Sequence, residues 1–134
     1  MKARTCNWET VRALALALPG VEESTSYGTP AFKVRGKLFV RLKEDAESIV
    51  LRIDETDRAM RLQADPRAFY LTDHYVKYPW MLVRLSAVAQ DDLAELLRDA
   101  WRLQAPARLA VEYDRTEREP GAAGASRRAP RRRK

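Results

Sequence analysis

Two stretches carry residue types able to do chemistry. Between Ala31 and Lys43 stand five basic residues, Lys33, Arg35, Lys37, Arg41 and Lys43, with no acidic residue among them and with Phe39 alternating onto their side. Further along, Thr72 to Trp80 holds the chain's single histidine, His74, with Tyr75, Lys77, Tyr78, Pro79 and Trp80. Cations that converge on one surface neutralise phosphates, and rings beside them stack on bases or sugars. The first stretch alternates apolar and basic residues, which places most of its cations opposite its apolar face. Arg52 and Arg84 alternate away from the apolar residues of their own segments in the same way. The predicted nucleic-acid-binding set is therefore Lys33, Arg35, Lys37, Phe39, Arg41, Lys43, Arg52, His74, Tyr75, Lys77 and Arg84. The competing view is an ordinary solvated sheet face, with His74 hydrogen-bonded to Asp73 and Tyr78-Pro79-Trp80 forming a rigid buried turn.

Other chemistries find little support. One histidine and one cysteine, far apart, leave no Cys-His pair. Ser24 and Ser26 lie near Glu22 and Glu23 without a G-x-S-x-G turn. Five scattered glycines form no phosphate-cradling loop. Asp91 and Asp92 sit where a helix start favours negative charge. Glu44, Asp45 and Glu47 read as a solvated turn. We therefore expect no enzyme activity, no metal and no cofactor. No helix-turn-helix, zinc-finger or RRM signature is present, so any nucleic-acid binding is expected to be led by the phosphate backbone and weakly sequence-specific.

Composition bounds these expectations. The 134 residues suit a single domain. The net charge of +6 is unevenly placed: residues 115–134 hold eight basic and two acidic residues, which leaves seventeen of each in 1–114. Binding by the folded part must rest on local patches. No apolar run reaches membrane length, and Met1–Thr10 shows no signal-peptide pattern. The lone Cys6, expected half-exposed just before a helix, fits a reducing cytoplasm. The basic tail, 115–134, reads as disordered and lacks hydrophobic anchors for a membrane.

The elements that must position these residues are legible. Asn7–Leu18 is predicted as an amphipathic helix with Asn7 as N-cap, ended by Pro19-Gly20. Val21–Tyr27 reads as a short strand and Gly28-Thr29-Pro30 as a turn. Pro30–Lys43 reads as a hairpin turning near Arg35-Gly36-Lys37. To place Phe32, Val34, Leu38, Val40 and Leu42 on one face its loop must be odd, and a three-residue loop with left-handed Gly36 is preferred; an even loop would mix the faces. Ser48–Ile53 is a third strong strand. Asp54 caps a helix of about ten residues. Two strands flank the 72–80 connector, and Ala89–Ala105 is the last helix, stopped by Pro106. Short turns between strands imply a largely antiparallel sheet, with helices packed on one face: an α+β, two-layer α/β sandwich spanning 1–114.

Several of these segments together resemble the MmcQ/YjbR family of small bacterial proteins. They are Leu18-Pro19-Gly20-Val21-Glu22-Glu23-Ser24, Tyr27-Gly28, Pro30-Ala31-Phe32-Lys33-Val34-Arg35-Gly36-Lys37-Leu38-Phe39, Leu71-Thr72-Asp73-His74-Tyr75, Tyr78-Pro79-Trp80, Val83-Arg84-Leu85 and Ala100-Trp101-Arg102-Leu103. The resemblance spans roughly residues 7–109 and leaves out the tail. It implies a frataxin-like (CyaY-like) fold and a proposed DNA-binding role through two projecting, wing-like elements. Frataxins hold iron with an acidic first helix, whereas the first helix here carries only Glu9, with Arg12 nearby. DNA is thus the expected partner. A protein-interaction or scaffold domain using the same face for a protein partner is the alternative.

Overall fold

The computed structural model describes residues 6–118. The chain begins with α1 (Trp8–Leu16), a hairpin of β1 (Val21–Ser26) and β2 (Thr29–Val34), then β3 (Lys37–Leu42) and β4 (Ser48–Arg52). There follow α2 (Glu55–Ala64), β5 (Phe69–Tyr70), a 3-10 turn at Asp73–Tyr75, β6 (Trp80–Arg84), α3 (Gln90–Gln104) and α4 (Ala107–Arg118). The six strands form one antiparallel sheet in the order β1-β2-β3-β4-β6-β5. The fold is α+β, as expected.

Local chemistry starts and stops the helices. The Asn7 side chain accepts from the Thr10 amide at 3.0 Å while the Thr10 hydroxyl accepts from the Asn7 amide at 3.1 Å, so two otherwise unpaired amides of α1 are satisfied reciprocally. Asp54 caps α2 by accepting from the Asp57 amide at 2.9 Å. Pro106 ends α3 by holding Ala105 extended, and its carbonyl then accepts from Ala110 inside a further helix. The expectation that α3 is the last helix is thus corrected: α4 follows and continues past the expected domain end at 114. The rest of the predicted tail, residues 119–134, lies outside the described residues.

Helices α1 and α3 cover one face of the sheet. Val11 and Ala15 of α1 and Leu93, Leu96, Leu97, Ala100 and Trp101 of α3 pack on Phe32, Val40, Leu51, Met81 and Val83. Trp8 stacks on Phe32 with centroids 5.2 Å apart, and the buried Trp101 indole donates to the Pro19 carbonyl at 2.8 Å. Each such buried side chain contributes roughly 1.5–3 kcal/mol of apolar transfer. Cys6 also joins this core, with its thiol toward the Val88 carbonyl at 3.5 Å; the expectation of a half-exposed cysteine is corrected.

The hairpin solves its parity problem in an unexpected way. Val34 pairs with Lys37, so the loop is the two residues Arg35-Gly36, with φ of +50° and +85°. That is the primed geometry whose twist matches the strands. The register then slips: Phe32 faces Val40 while Lys33 faces Leu38, leaving Phe39 as an extra residue on β3. The bulge restores the odd residue that the loop lacks. It also moves Phe39 into the core, at 0% exposure. The first hairpin likewise turns through Tyr27-Gly28, and Thr29 and Pro30 belong to β2 rather than to a turn.

Candidate functional site

The sheet face opposite α1 and α3 is not an open field of cations. Cross-strand register sets Ala31, Arg41, Val50 and Leu82 side by side across β2, β3, β4 and β6, with Tyr70 beyond them on β5. Ala31, Val50 and Leu82 are buried here, outside the main core cluster. The connector supplies part of the cover, since Tyr75 reaches the middle of this row. Its hydroxyl accepts from Nη2 of Arg41 at 2.9 Å.

Arg41 is the centre of the arrangement. It is 5% exposed, and its Nη1 donates to the Thr29 hydroxyl, the Leu42 carbonyl and Glu44 at 3.2–3.4 Å. Its guanidinium lies 5.0 Å from the centre of the Tyr27 ring, a cation–π distance. One buried cation therefore ties the tip of the β1–β2 hairpin to the connector. The backbone amide of Glu44, then Arg41 and Lys43, hold the Glu44 carboxyl below the usual carboxylate range. From Tyr75 the contacts continue outward. The His74 ring stands perpendicular to Tyr75 at 4.6 Å, and Tyr78 lies 5.9 Å from His74. The result is a continuous strip, Tyr27–Arg41–Tyr75–His74–Tyr78, whose ends are 78% and 53% exposed. Lys77 and Val76 are exposed on the same connector.

The connector is held from the far side by Arg58 of α2. Its Nη1 donates to the carbonyls of Tyr75, Tyr78 and Trp80 at 2.7–3.1 Å, and its Nη2 to Val76 at 3.0 Å. One side chain thus meets four backbone carbonyls, of which Tyr75 and Tyr78 also accept from the Tyr78 and Trp80 amides. A second cluster stands beside the strip: Arg84 lies 4.0 Å over the Tyr70 ring and donates to the Arg67 carbonyl, while the hydroxyls of Tyr70 and Ser48 share a hydrogen bond at 2.8 Å.

The eleven residues expected to bind nucleic acid divide accordingly. His74, Tyr75 and Lys77 come together on the connector. Arg41 joins them as a buried anchor, correcting its expected place on an accessible face. Phe39 is removed altogether by the bulge. Lys33 is half-buried in register opposite Glu22, and Lys43 is half-buried with its ammonium 4.0 Å from Asp45. Arg84 is exposed but engaged as described. Arg52 turns back to the Ile53 carbonyl at 3.1 Å and lines a cleft of about 340 Å³ with Asp57, Asp99 and Arg102. Arg35 and Lys37 are exposed at the β2–β3 turn, at the end of β2 away from Tyr27. Tyr27, Tyr78 and Arg58 were not in the predicted set. Tyr27 carried a signal, a ring followed by glycine in a polar turn. Arg58 carried none, because an arginine on a short polar helix looks like surface. Among the described residues no three His, Cys, Asp or Glu side chains gather to hold a metal ion, and no helix is long and apolar enough to cross a membrane.

A six-stranded antiparallel sheet, helices α1 and α3 packed on one face and a connector folded over the other define a small α+β domain class. A family model described as YjbR matches residues 16–103, and the chain belongs to the YjbR family. Two uncharacterised mycobacterial proteins, Rv2570 of Mycobacterium tuberculosis and Mb2600 of Mycobacterium bovis, are each 38% identical over 60 residues. That stretch is 45% of this chain and 46% of theirs, so the match spans about half the length of these relatives. The crystal structure of Deinococcus radiodurans protein DR2400, a DUF419 domain, superposes with a TM-score of 0.65 at 23% identity, over 77% of this chain and 81% of that one. It shares the fold.

Proposed function

We propose that this protein is a non-enzymatic nucleic-acid-binding domain, with DNA as the partner and little sequence preference. The observation that carries the proposal is the contiguous strip Tyr27–Arg41–Tyr75–His74–Tyr78 with Lys77 exposed beside it. Exposed rings flanked by a cation make a platform that tracks bases and backbone without reading base edges. The rings come from two elements, the β1–β2 tip and the connector. Lys77 is the exposed cation of the connector while Arg41 is buried, so phosphate neutralisation at the strip contributes less than a basic sheet face would supply. The test titrates a labelled partial duplex against the full chain and against Lys77→Ala across several salt concentrations. Loss of Lys77 is expected to flatten the slope of log affinity on log salt by about 0.7–0.9. The absence of salt-dependent binding by the full chain rejects the proposal.

A protein-interaction domain is the second reading, favoured by the exposed apolar Val76 among the rings and by the balance of charge over residues 1–114. It gains if full-chain binding to DNA is unchanged by Lys77→Ala and by His74→Ala alike.

A further inference from the structure

Tyr27 occupies a backbone position that its side chain disfavours. It is left-handed, with φ of +54°, and opens a two-residue turn completed by Gly28 at +79°. Asparagine, aspartate or glycine suits that place, because a bulky side chain there crowds its own backbone. The ring receives no burial in return, since it is 78% exposed. Strain held at an exposed aromatic points to use of the ring itself.

The ring is also held in place. Arg41 lies 5.0 Å from its centre and is itself fixed by Thr29, Glu44 and the Leu42 carbonyl. The other end of the same guanidinium holds Tyr75, and the contacts run on through His74 to the exposed Tyr78. Two exposed rings on separate elements thus share one buried anchor, and Arg58 braces the connector behind them. Rings ordered before a ligand arrives lose little freedom when it binds.

The strip offers ring faces and few cations. Arg41 is buried and paired with Glu44, and Lys77 is the exposed cation of the connector. A duplex presents phosphates outward and keeps its base faces stacked inside, so it matches such a surface poorly. An unpaired strand presents base faces, each of which can stack on a tyrosine. Building on the nucleic-acid reading above, we propose that the strip takes single-stranded nucleic acid, with unpaired bases stacked on Tyr27 and Tyr78 and with Arg41 holding the platform in register.

The test compares a labelled single-stranded oligonucleotide with a hairpin duplex of the same base composition, using the full chain. The wild type is expected to favour the single strand. Tyr27→Asn suits the left-handed turn, so it is expected to raise the melting temperature while weakening single-strand affinity about 5–150-fold, the equivalent of one lost stack. Tyr78→Leu is expected to weaken it similarly, Tyr27→Phe to preserve it, and duplex affinity to stay the same in all three. Equal affinity of the wild type for both forms, or an equal loss of both in Tyr27→Asn, overturns the inference and leaves the broader nucleic-acid reading standing. Wild-type binding to neither form overturns both.

Discussion

At the scale of single residues, environment decides what each charge does. Arg41 alternates like a solvent-facing strand residue, yet it is buried with four polar partners and a ring. Arg41→Ala leaves the Tyr75 and Thr29 hydroxyls without their donor, and we expect a loss of about 1–3 kcal/mol in urea unfolding. It is thus a stability variant and not a clean probe of binding. Asp99 shows the opposite effect. Burial pushes its carboxyl up, against the pull of Arg102, and Glu95 and Asp57 add to the rise. The folded state then keeps this proton to higher pH than the unfolded chain does. Its contribution is fully present below the unfolded carboxylate range and is lost as pH rises through the raised folded value. Asp99→Asn is expected to raise the melting temperature at pH 7 and to leave it unchanged near pH 3; a pH series of thermal melts checks the sign. The sequence shows Arg41 and Asp99 as charged residues, but the burial of the first and the partial desolvation of the second arise from elements far away along the chain.

At the scale of elements, caps and breakers were readable and connections were less so. Asn7, Asp54 and Pro106 act within a few residues of themselves, so the starts of α1 and α2 and the end of α3 follow from local chemistry. The β2–β3 hairpin does not. Its turn at Arg35-Gly36 and its bulge at Phe39 compensate each other, and alternation alone admits either an odd loop or an even loop with a bulge. The apolar phenylalanine favours the second, because burying its ring outweighs the local disruption of the ladder. The connector is a further case. Its conformation depends on Arg58, which donates to four of its carbonyls. Arg58→Ala is expected to cost about 1–3 kcal/mol, and to raise amide exchange over residues 73–79 well before the core strands. Unchanged exchange there would show that the connector holds itself.

At the scale of the whole molecule, one core joins the sheet to α1 and α3, while Tyr113 and Leu109 of α4 pack against its rim. Leu51 of β4, fully buried, touches that core from a strand with neighbours on both sides. Leu51→Ala is expected to cost about 2–5 kcal/mol through lost transfer energy and a residual cavity. Tryptophan fluorescence and far-ultraviolet circular dichroism should report the same transition midpoint, as one cooperative unit requires. Charge also belongs to this scale. The excess of +6 lies in residues 115–134, so the rest of the chain has no overall field to steer a polyanion. The proposed recognition of nucleic acid by the described domain therefore rests on a local surface, the aromatic strip, and not on net charge.

Periodicity, caps and turn residues by themselves determined the class of fold and most element positions, and the resemblance of several short segments pointed to the family. These depend on neighbours a few residues apart. Only the tertiary structure decided which face of the sheet is covered, that Phe39 turns inward, and that Arg41 serves as an anchor between Tyr27 and Tyr75. Each of those outcomes depends on how distant strands register and on which loop folds over them. Such long-range contacts are not encoded in any single stretch of the chain.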